Sequence, residues 1–148
     1  MSKFTLYNYY RSSTSYRIRI ALNLKNITYE YKGIHLLEGG GQQNKLEYKK
    51  LNPQGEVPTL IHENKAIGQS MAIMEYLEEI HPVVPLLPEN RFLKAKVRQF
   101  CENINSFMHP LANLKVMQKL EKDHQFTLEQ KTQGIQHWHG IGYTSLEK

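Results

Sequence analysis

The first eighty residues alternate between two hydrophobic periods. Residues 3–9 alternate apolar and polar side chains, which predicts a β-strand, and residues 13–25 carry their apolar side chains on one helix face. Residues 27–34 are rich in β-branched and tyrosine side chains and predict a second strand. A strand, a helix and a strand in this order predict a parallel pair joined by a right-handed crossover.

Four more elements are predicted after this strand pair: a glycine-rich loop, a short helix stopped by Asn52-Pro53, a hairpin and a further helix. In chain order they cover residues 38–41, 42–51, 57–67 and 70–81. The hairpin turns at Glu63-Asn64, and Ser70 is the predicted N-cap of the last helix.

A proline-rich segment separates this part from a helical remainder, because proline lacks the N–H that a helix needs. Its prolines are Pro82, Pro85 and Pro88. Beyond them, residues 92–120 predict one long helix that Pro110 interrupts, and Thr127 with Gln130 predicts a capping box that starts a last helix.

The predicted fold class is therefore α/β plus all-α. We expect an α/β domain at residues 1–82, a proline-rich linker at 83–90 and an all-helical domain at 91–148.

Composition narrows the class of protein. The 148 residues carry a net charge of +5, but the basic residues are scattered, which favours a solvated surface and small acidic ligands over nucleic acid. No apolar run approaches the roughly 18 residues of a membrane span, and the start of the chain lacks a signal-peptide pattern. The lone Cys101, read as a packed core residue, fits a reducing compartment, so we expect a cytoplasmic protein.

Four consecutive hydroxyl residues, 12–15, mark the start of the first helix. Such hydroxyls cap free backbone N–H groups, and the same helix end favours an anion, so these residues serve as a cap or as an anion site. Serine without a nearby histidine base is a poor nucleophile. Donation from Ser13 to an external thiolate is chemically easier, because the hydroxyl keeps its proton.

Three other candidate functional sites can also be explained by a purely structural role. The Val57-Pro58 bond, at the start of a strand, is expected to be trans from its frequency alone, since only about 5–6% of X–Pro bonds are cis. Gln69-Ser70 is a plain cap or a carboxylate site. The pair His137 and His139 points to different helix faces, so we predict no metal site.

Four motifs together resemble the zeta class of the glutathione transferases, which includes maleylacetoacetate isomerase. They are Arg11–Leu22, Gly40–Gln43, Leu51–Leu60 and Gln69–Glu79, with a weaker likeness at Pro110–Leu114. The resemblance implies a thioredoxin-like N-terminal domain, a cis Val57-Pro58 bond and a glutathione-transferase-type helical domain. Family members continue for several helices beyond the part that residues 135–148 resemble, so it also implies a helical domain truncated at the C-terminus.

Glutathione is the implied cofactor. In the roles that the resemblance assigns, Ser13 donates to its sulfur with support from Ser12 and Thr14, and five further residues bind the tripeptide. These are Gln43 at the glycyl end, Val57 and Pro58 at the cysteinyl unit, and Gln69 and Ser70 at the γ-glutamyl group.

The implied activity is the isomerisation of maleylacetoacetate to fumarylacetoacetate in tyrosine and phenylalanine catabolism, by a homodimer. Arg11 is a candidate contact for this small acidic electrophile, and so is His109, where relatives commonly have glutamine. Thr14 replaces the usual cysteine, which is not the sulfur donor. The alternative function is a non-catalytic glutathione-binding or interaction module.

Overall fold

The computed structural model describes residues 3–147. The described chain forms two compact units, the first ending at Leu86 and the second beginning at Leu87. No helix within residues 3–147 is both long enough and apolar enough to cross a membrane.

The first unit contains a four-stranded mixed sheet. Its strands are β1 (Phe4–Asn8), β2 (Tyr29–Gly33), β3 (Thr59–His62) and β4 (Lys65–Gly68), in the spatial order β2-β1-β3-β4. β1 and β2 are parallel, with Phe4 opposite Tyr29, whereas β3 pairs antiparallel with both β1 and β4. The predicted parallel pair and the hairpin are confirmed.

Helices cover both faces of this sheet. They are α1 (Ser13–Leu24), α2 (Leu46–Leu51) and α3 (Ser70–Ile80), and short 3₁₀ turns occupy Glu38–Gly40 and Gln42–Asn44. The alternation along β1 divides the core, since Leu6 is buried with side chains of α1 and α3, while Tyr7 packs against the cluster that contains Tyr48 of α2.

The proline-rich segment is held against the first unit by a buried ion pair. Lys25, at the end of α1, donates to the carboxylate of Glu78 at 2.6 Å and to the carbonyls of His81 and Val84. The same carboxylate accepts the N–H of Leu86 at 3.0 Å. These contacts join the residues up to Leu86 to the rest of the first unit.

The second unit is all-helical. It contains α4 (Arg91–Glu102), a π-helical segment (Asn103–Met108), α5 (His109–Leu111), α6 (Leu114–His124) and α7 (Leu128–Leu146). The capping box at Thr127 is confirmed, because its hydroxyl accepts the Gln130 N–H while the Gln130 side chain accepts the Thr127 N–H.

One local prediction is confirmed and one is wrong. The helix over 92–120 is interrupted at Pro110 as expected, because proline has no N–H to give the carbonyl four residues earlier; π turns precede it and Asn113 caps a new helix. Cys101 is only half-buried and is not a packed core residue.

Candidate functional site

The four hydroxyls at the start of α1 have different roles. Ser12 is the N-cap, accepting the Ser15 N–H at 3.2 Å, and its hydroxyl lies 2.8 Å from that of Thr14. The Ser15 side chain is fully buried and accepts the Tyr9 N–H at 3.4 Å. Ser13 is exposed in the first turn, and within the described chain no hydrogen bond engages its hydroxyl. Ser13 is therefore the hydroxyl of this group that is exposed and has no hydrogen-bond partner within the described chain.

Thr14 connects this helix start to the loop before β3. Its hydroxyl donates to the carbonyl of Val57 at 3.0 Å. The Val57-Pro58 bond is cis, as the resemblance implied. The Val57 carbonyl is therefore already engaged in an internal hydrogen bond. The Val57 N–H has no partner among residues 3–147.

A buried polar network supports the loop from below. The Tyr48 hydroxyl donates to the Glu56 carbonyl at 2.6 Å and lies 2.9 Å from the Thr59 hydroxyl. The Asn52 amide reaches the same two oxygens, at 3.0 and 3.2 Å. Burial raises the pKa of Tyr48 to about 12, so its hydroxyl stays protonated.

Sequence reasoning missed this network. The available signal was a set of polar side chains, Tyr48, Asn52 and Thr59, within a stretch that also has to bury apolar residues. Their burial depends on how α2 packs on the sheet, which the local pattern does not give.

The predicted glycyl-end residue is turned inward. Gln43 is buried, and its Nε2 donates to the Leu36 carbonyl at 3.1 Å, while its Oε1 is buried with no hydrogen-bond partner in the described structure. Gly41 has φ +89°, and an added Cβ there would lie 2.5 Å from the Gln43 amide nitrogen. Glycine is therefore required for this amide to pack here.

The start of α3 carries the other predicted tripeptide contacts. Gln69, not Ser70, is the N-cap residue, and its φ is positive, at 62°. The Gln69 side chain donates to that of Gln54 at 2.6 Å. Ser70 is the first helical residue and is buried.

Both helix starts favour an anion electrostatically. Neither α1 nor α3 has an acidic residue in its first turn, so no carboxylate competes for the free N–H groups and the positive dipole end.

The two predicted substrate residues lie in different units. Arg11 is exposed and lies next to the phenol of Tyr9. Burial and Tyr10 raise the pKa of Tyr9, and the opposing effect of Arg11 is smaller. His109 belongs to the second unit, where it is half-buried at the start of α5. Within residues 3–147, no group of three His, Cys, Asp or Glu side chains is placed to hold a metal ion.

Comparison with known proteins gives a consistent family. Residues 2–79 match the glutathione S-transferase N-terminal domain. The maleylacetoacetate isomerase of Dictyostelium discoideum is 53% identical over 116 residues, covering 78% of this chain and 53% of that protein. That of Rattus norvegicus is 46% identical over 143 residues, covering 97% of this chain and 63% of that protein.

A solved structure agrees in three dimensions. Maleylacetoacetate isomerase from Methylobacterium extorquens AM1, with bound malonate and GSH, superimposes with a TM-score of 0.91 at 35% identity, covering 97% of this chain and 66% of that one. The chain belongs to the glutathione S-transferase family, and its predicted thioredoxin-like N-terminal fold is confirmed. It spans between about half and two thirds of the length of these relatives.

Proposed function

We propose that this chain binds glutathione as a thiolate and serves the glutathione-dependent isomerisation of maleylacetoacetate. The observation that carries the proposal is the exposed Ser13 hydroxyl at a helix start without acidic residues, next in sequence to Thr14, whose hydroxyl bridges to the Val57 carbonyl. The similarity to maleylacetoacetate isomerases supports the choice of substrate.

The energy required for thiolate formation is modest. Lowering a thiol pKa from about 8.5 to about 7 takes roughly 2 kcal/mol of differential stabilisation. A hydroxyl that donates to a charged acceptor contributes about 1.5–3 kcal/mol, and a helix end adds about 0.3–1 kcal/mol. Ser13 on α1 combines both contributions at one point.

The rest of the tripeptide fits the remaining groups. The Val57 N–H suits the main chain of an extended cysteinyl unit, as in strand addition. The α3 start, with Gln69 and Ser70, suits the γ-glutamyl carboxylate, and Gln43 is within the loop assigned to the glycyl end. Gln69 has to exchange its bond to Gln54, and Gln43 its bond to Leu36, for contacts with the ligand.

When bound, glutathione supplies a sulfur nucleophile that adds reversibly to the cis double bond of the substrate, permits rotation, and leaves by elimination to give the trans product. In this scheme Ser13 holds the negative charge on the sulfur by donating from its Oγ before addition and after elimination. Ser12 and Thr14 fix the turn that presents it. Arg11 and His109 are our candidates for the acidic substrate.

The same resemblance is the basis for the oligomeric state, the compartment and the pathway. We infer that the protein is a cytoplasmic homodimer that takes part in aromatic amino acid catabolism.

The test is an isomerase assay of the full chain, with and without glutathione, on wild type, Ser13→Ala and the control Ser106→Ala. Ser106 is exposed and bonds the carbonyl of Glu102 at the end of α4, so its loss should leave activity unchanged. We expect glutathione-dependent turnover, and a loss of about 30- to 150-fold in kcat/KM for Ser13→Ala, from about 2–3 kcal/mol.

Two results would count against the proposal. Equal rates for wild type and Ser13→Ala would remove Ser13 from the mechanism. Glutathione binding without turnover would support the non-catalytic module instead.

A further inference from the structure

The ring of His35 organises the glycine-rich loop through its Nδ1 atom. This nitrogen accepts the N–H of Glu38 at 2.9 Å and that of Leu37 at 3.3 Å. A ring nitrogen that accepts carries no proton, so the neutral ring has its proton on Nε2. The side chain thus satisfies two consecutive backbone donors at the point where the chain turns into the glycines.

The backbone of His35 is tied to the far end of the same loop. Its N–H donates to the side-chain oxygen of Gln42 at 2.8 Å, and its carbonyl accepts the Gln42 N–H at 2.8 Å. The ring packs edge-on against Tyr9, with centroids 5.0 Å apart. Tyr9 is buried in the cluster that contains Val57, so the loop packs against the same cluster as this candidate site residue.

The residues that follow His35 and Gln42 are also hydrogen-bonded to each other, and one of them is the candidate ligand contact Gln43. Leu36, which follows His35, accepts the amide of Gln43, which follows Gln42. The Oε1 of Gln43 is buried and unpaired in the described structure. An unpaired buried amide oxygen is costly, so this side chain has a reason to rearrange. His35 determines where the backbone beneath that amide lies.

We infer that His35 is a positioning residue for recognition of the glycyl end of glutathione. It holds the loop of residues 35–43 so that the Gln43 amide meets the glycyl moiety, and it leaves thiol activation at Ser13 untouched. This inference rests on the proposed function, because it presupposes that glutathione is the ligand.

The ligand test compares glutathione with γ-glutamylcysteine, which lacks the glycyl unit, by titration calorimetry. His35→Phe keeps a ring against Tyr9 but removes the acceptor, whereas His35→Asn keeps a side-chain acceptor for a nearby backbone N–H. The measured quantity is the ratio of the two dissociation constants. Because the ratio is taken on one sample, a reduced folded fraction cancels.

We expect wild type to bind glutathione more tightly than the dipeptide and His35→Asn to keep that preference. In His35→Phe we expect the preference to fall by roughly tenfold, with dipeptide affinity unchanged. An unchanged ratio in His35→Phe would overturn the inference alone. Failure of wild type to bind either ligand would overturn the proposed function and this inference with it.

A second measurement needs no ligand. Nitrogen NMR of the wild-type histidines should show an unprotonated Nδ1 and a protonated Nε2 for the neutral ring of His35. The opposite tautomer would overturn the inference, because Nδ1 would then be a donor facing two other donors.

Discussion

At the scale of single residues, similar side chains have different roles because of their backbone positions. Residues 12–15 are all hydroxyl residues, yet Ser12 caps, Thr14 bridges, Ser15 is buried and Ser13 is exposed. The sequence predicts the helix start, since hydroxyls concentrate there. It does not assign the roles, because these depend on which residue takes the extended cap conformation and on what lies across from it.

Thr14 offers a test of the link between α1 and the loop before β3. Thr14→Val keeps the shape but removes the donor to the Val57 carbonyl, which costs about 1 kcal/mol. We expect glutathione to bind about five- to tenfold more weakly, because the Val57 edge is then less fixed relative to Ser13.

Calorimetry on Thr14→Val and Thr14→Ser measures this effect. The serine variant keeps the hydroxyl and should bind like wild type. Equal affinity for all three proteins would show that the bridge has no part in binding.

At the scale of elements, the strands and helices of the first unit could be predicted closely. β1, α1 and α3 each carry a clear hydrophobic period, and the hairpin turns at Glu63-Asn64, where both residues have positive φ. The interruption predicted at Pro110 is confirmed, since a π-helical segment and the short α5 separate α4 from α6. The buried network of Tyr48 depends on tertiary packing and has no local signature.

Lys25 should contribute strongly to stability. Its side chain is 1% exposed, and it bonds Glu78 and two carbonyls that fix the end of α3 and the following segment. Lys25→Met removes the buried cation and its bonds to these acceptors, and we expect a loss of about 3 kcal/mol or more in the free energy of unfolding.

Urea denaturation compares this variant with Lys119→Met. The Lys119 side chain is 74% exposed and pairs with Asp123 on the surface of α6, so its loss should cost less than about 1 kcal/mol. A similar cost for both variants would show that burial does not strengthen the Lys25 interactions.

Glu30 on β2 should make the stability of the fold depend on pH in the acidic range. Hydrogen bonding to Lys32, aided by Thr5 and Lys3, lowers the pKa of its carboxyl from 4.5 to about 2. A carboxyl whose pKa is lower in the folded state stabilises the fold above its unfolded pKa. That stability is lost as the pH falls from about 4.5 towards 2.

Unfolding free energies measured across this pH range should fall less steeply for Glu30→Gln than for wild type. Glu89→Gln, at an exposed position of the proline-rich segment, is the control and should follow wild type. Identical slopes for wild type and Glu30→Gln would contradict the assignment.

At the scale of the whole molecule, the chain joins an α/β unit to a helical unit, and the sequence predicts both. The residues that the proposed function assigns to glutathione all lie in the first unit, on α1 and its N-cap, the 3₁₀ turn at Gln42–Asn44, the loop before β3 and the start of α3. They are far apart in sequence and the sheet topology brings them into one unit, so residue patterns alone left most of them with a structural alternative. The resemblance supplied the order and spacing that favour the ligand.

Binding should appear as stabilisation of the whole chain. A ligand that binds only the folded state at 100 times its dissociation constant adds about 2.7 kcal/mol to the free energy of unfolding. We expect glutathione to raise the unfolding midpoint accordingly, and Gln69→Ala to need a higher glutathione concentration for the same shift. A midpoint independent of glutathione would contradict binding.

The most direct measurement is the pKa of the sulfur of bound glutathione, followed by the ultraviolet absorbance of the thiolate in wild type and Ser13→Ala. Donation from Ser13 at the α1 start predicts a value of about 7 in wild type and a return towards about 8.5 in the variant. A bound sulfur that titrates identically in both proteins would contradict the account.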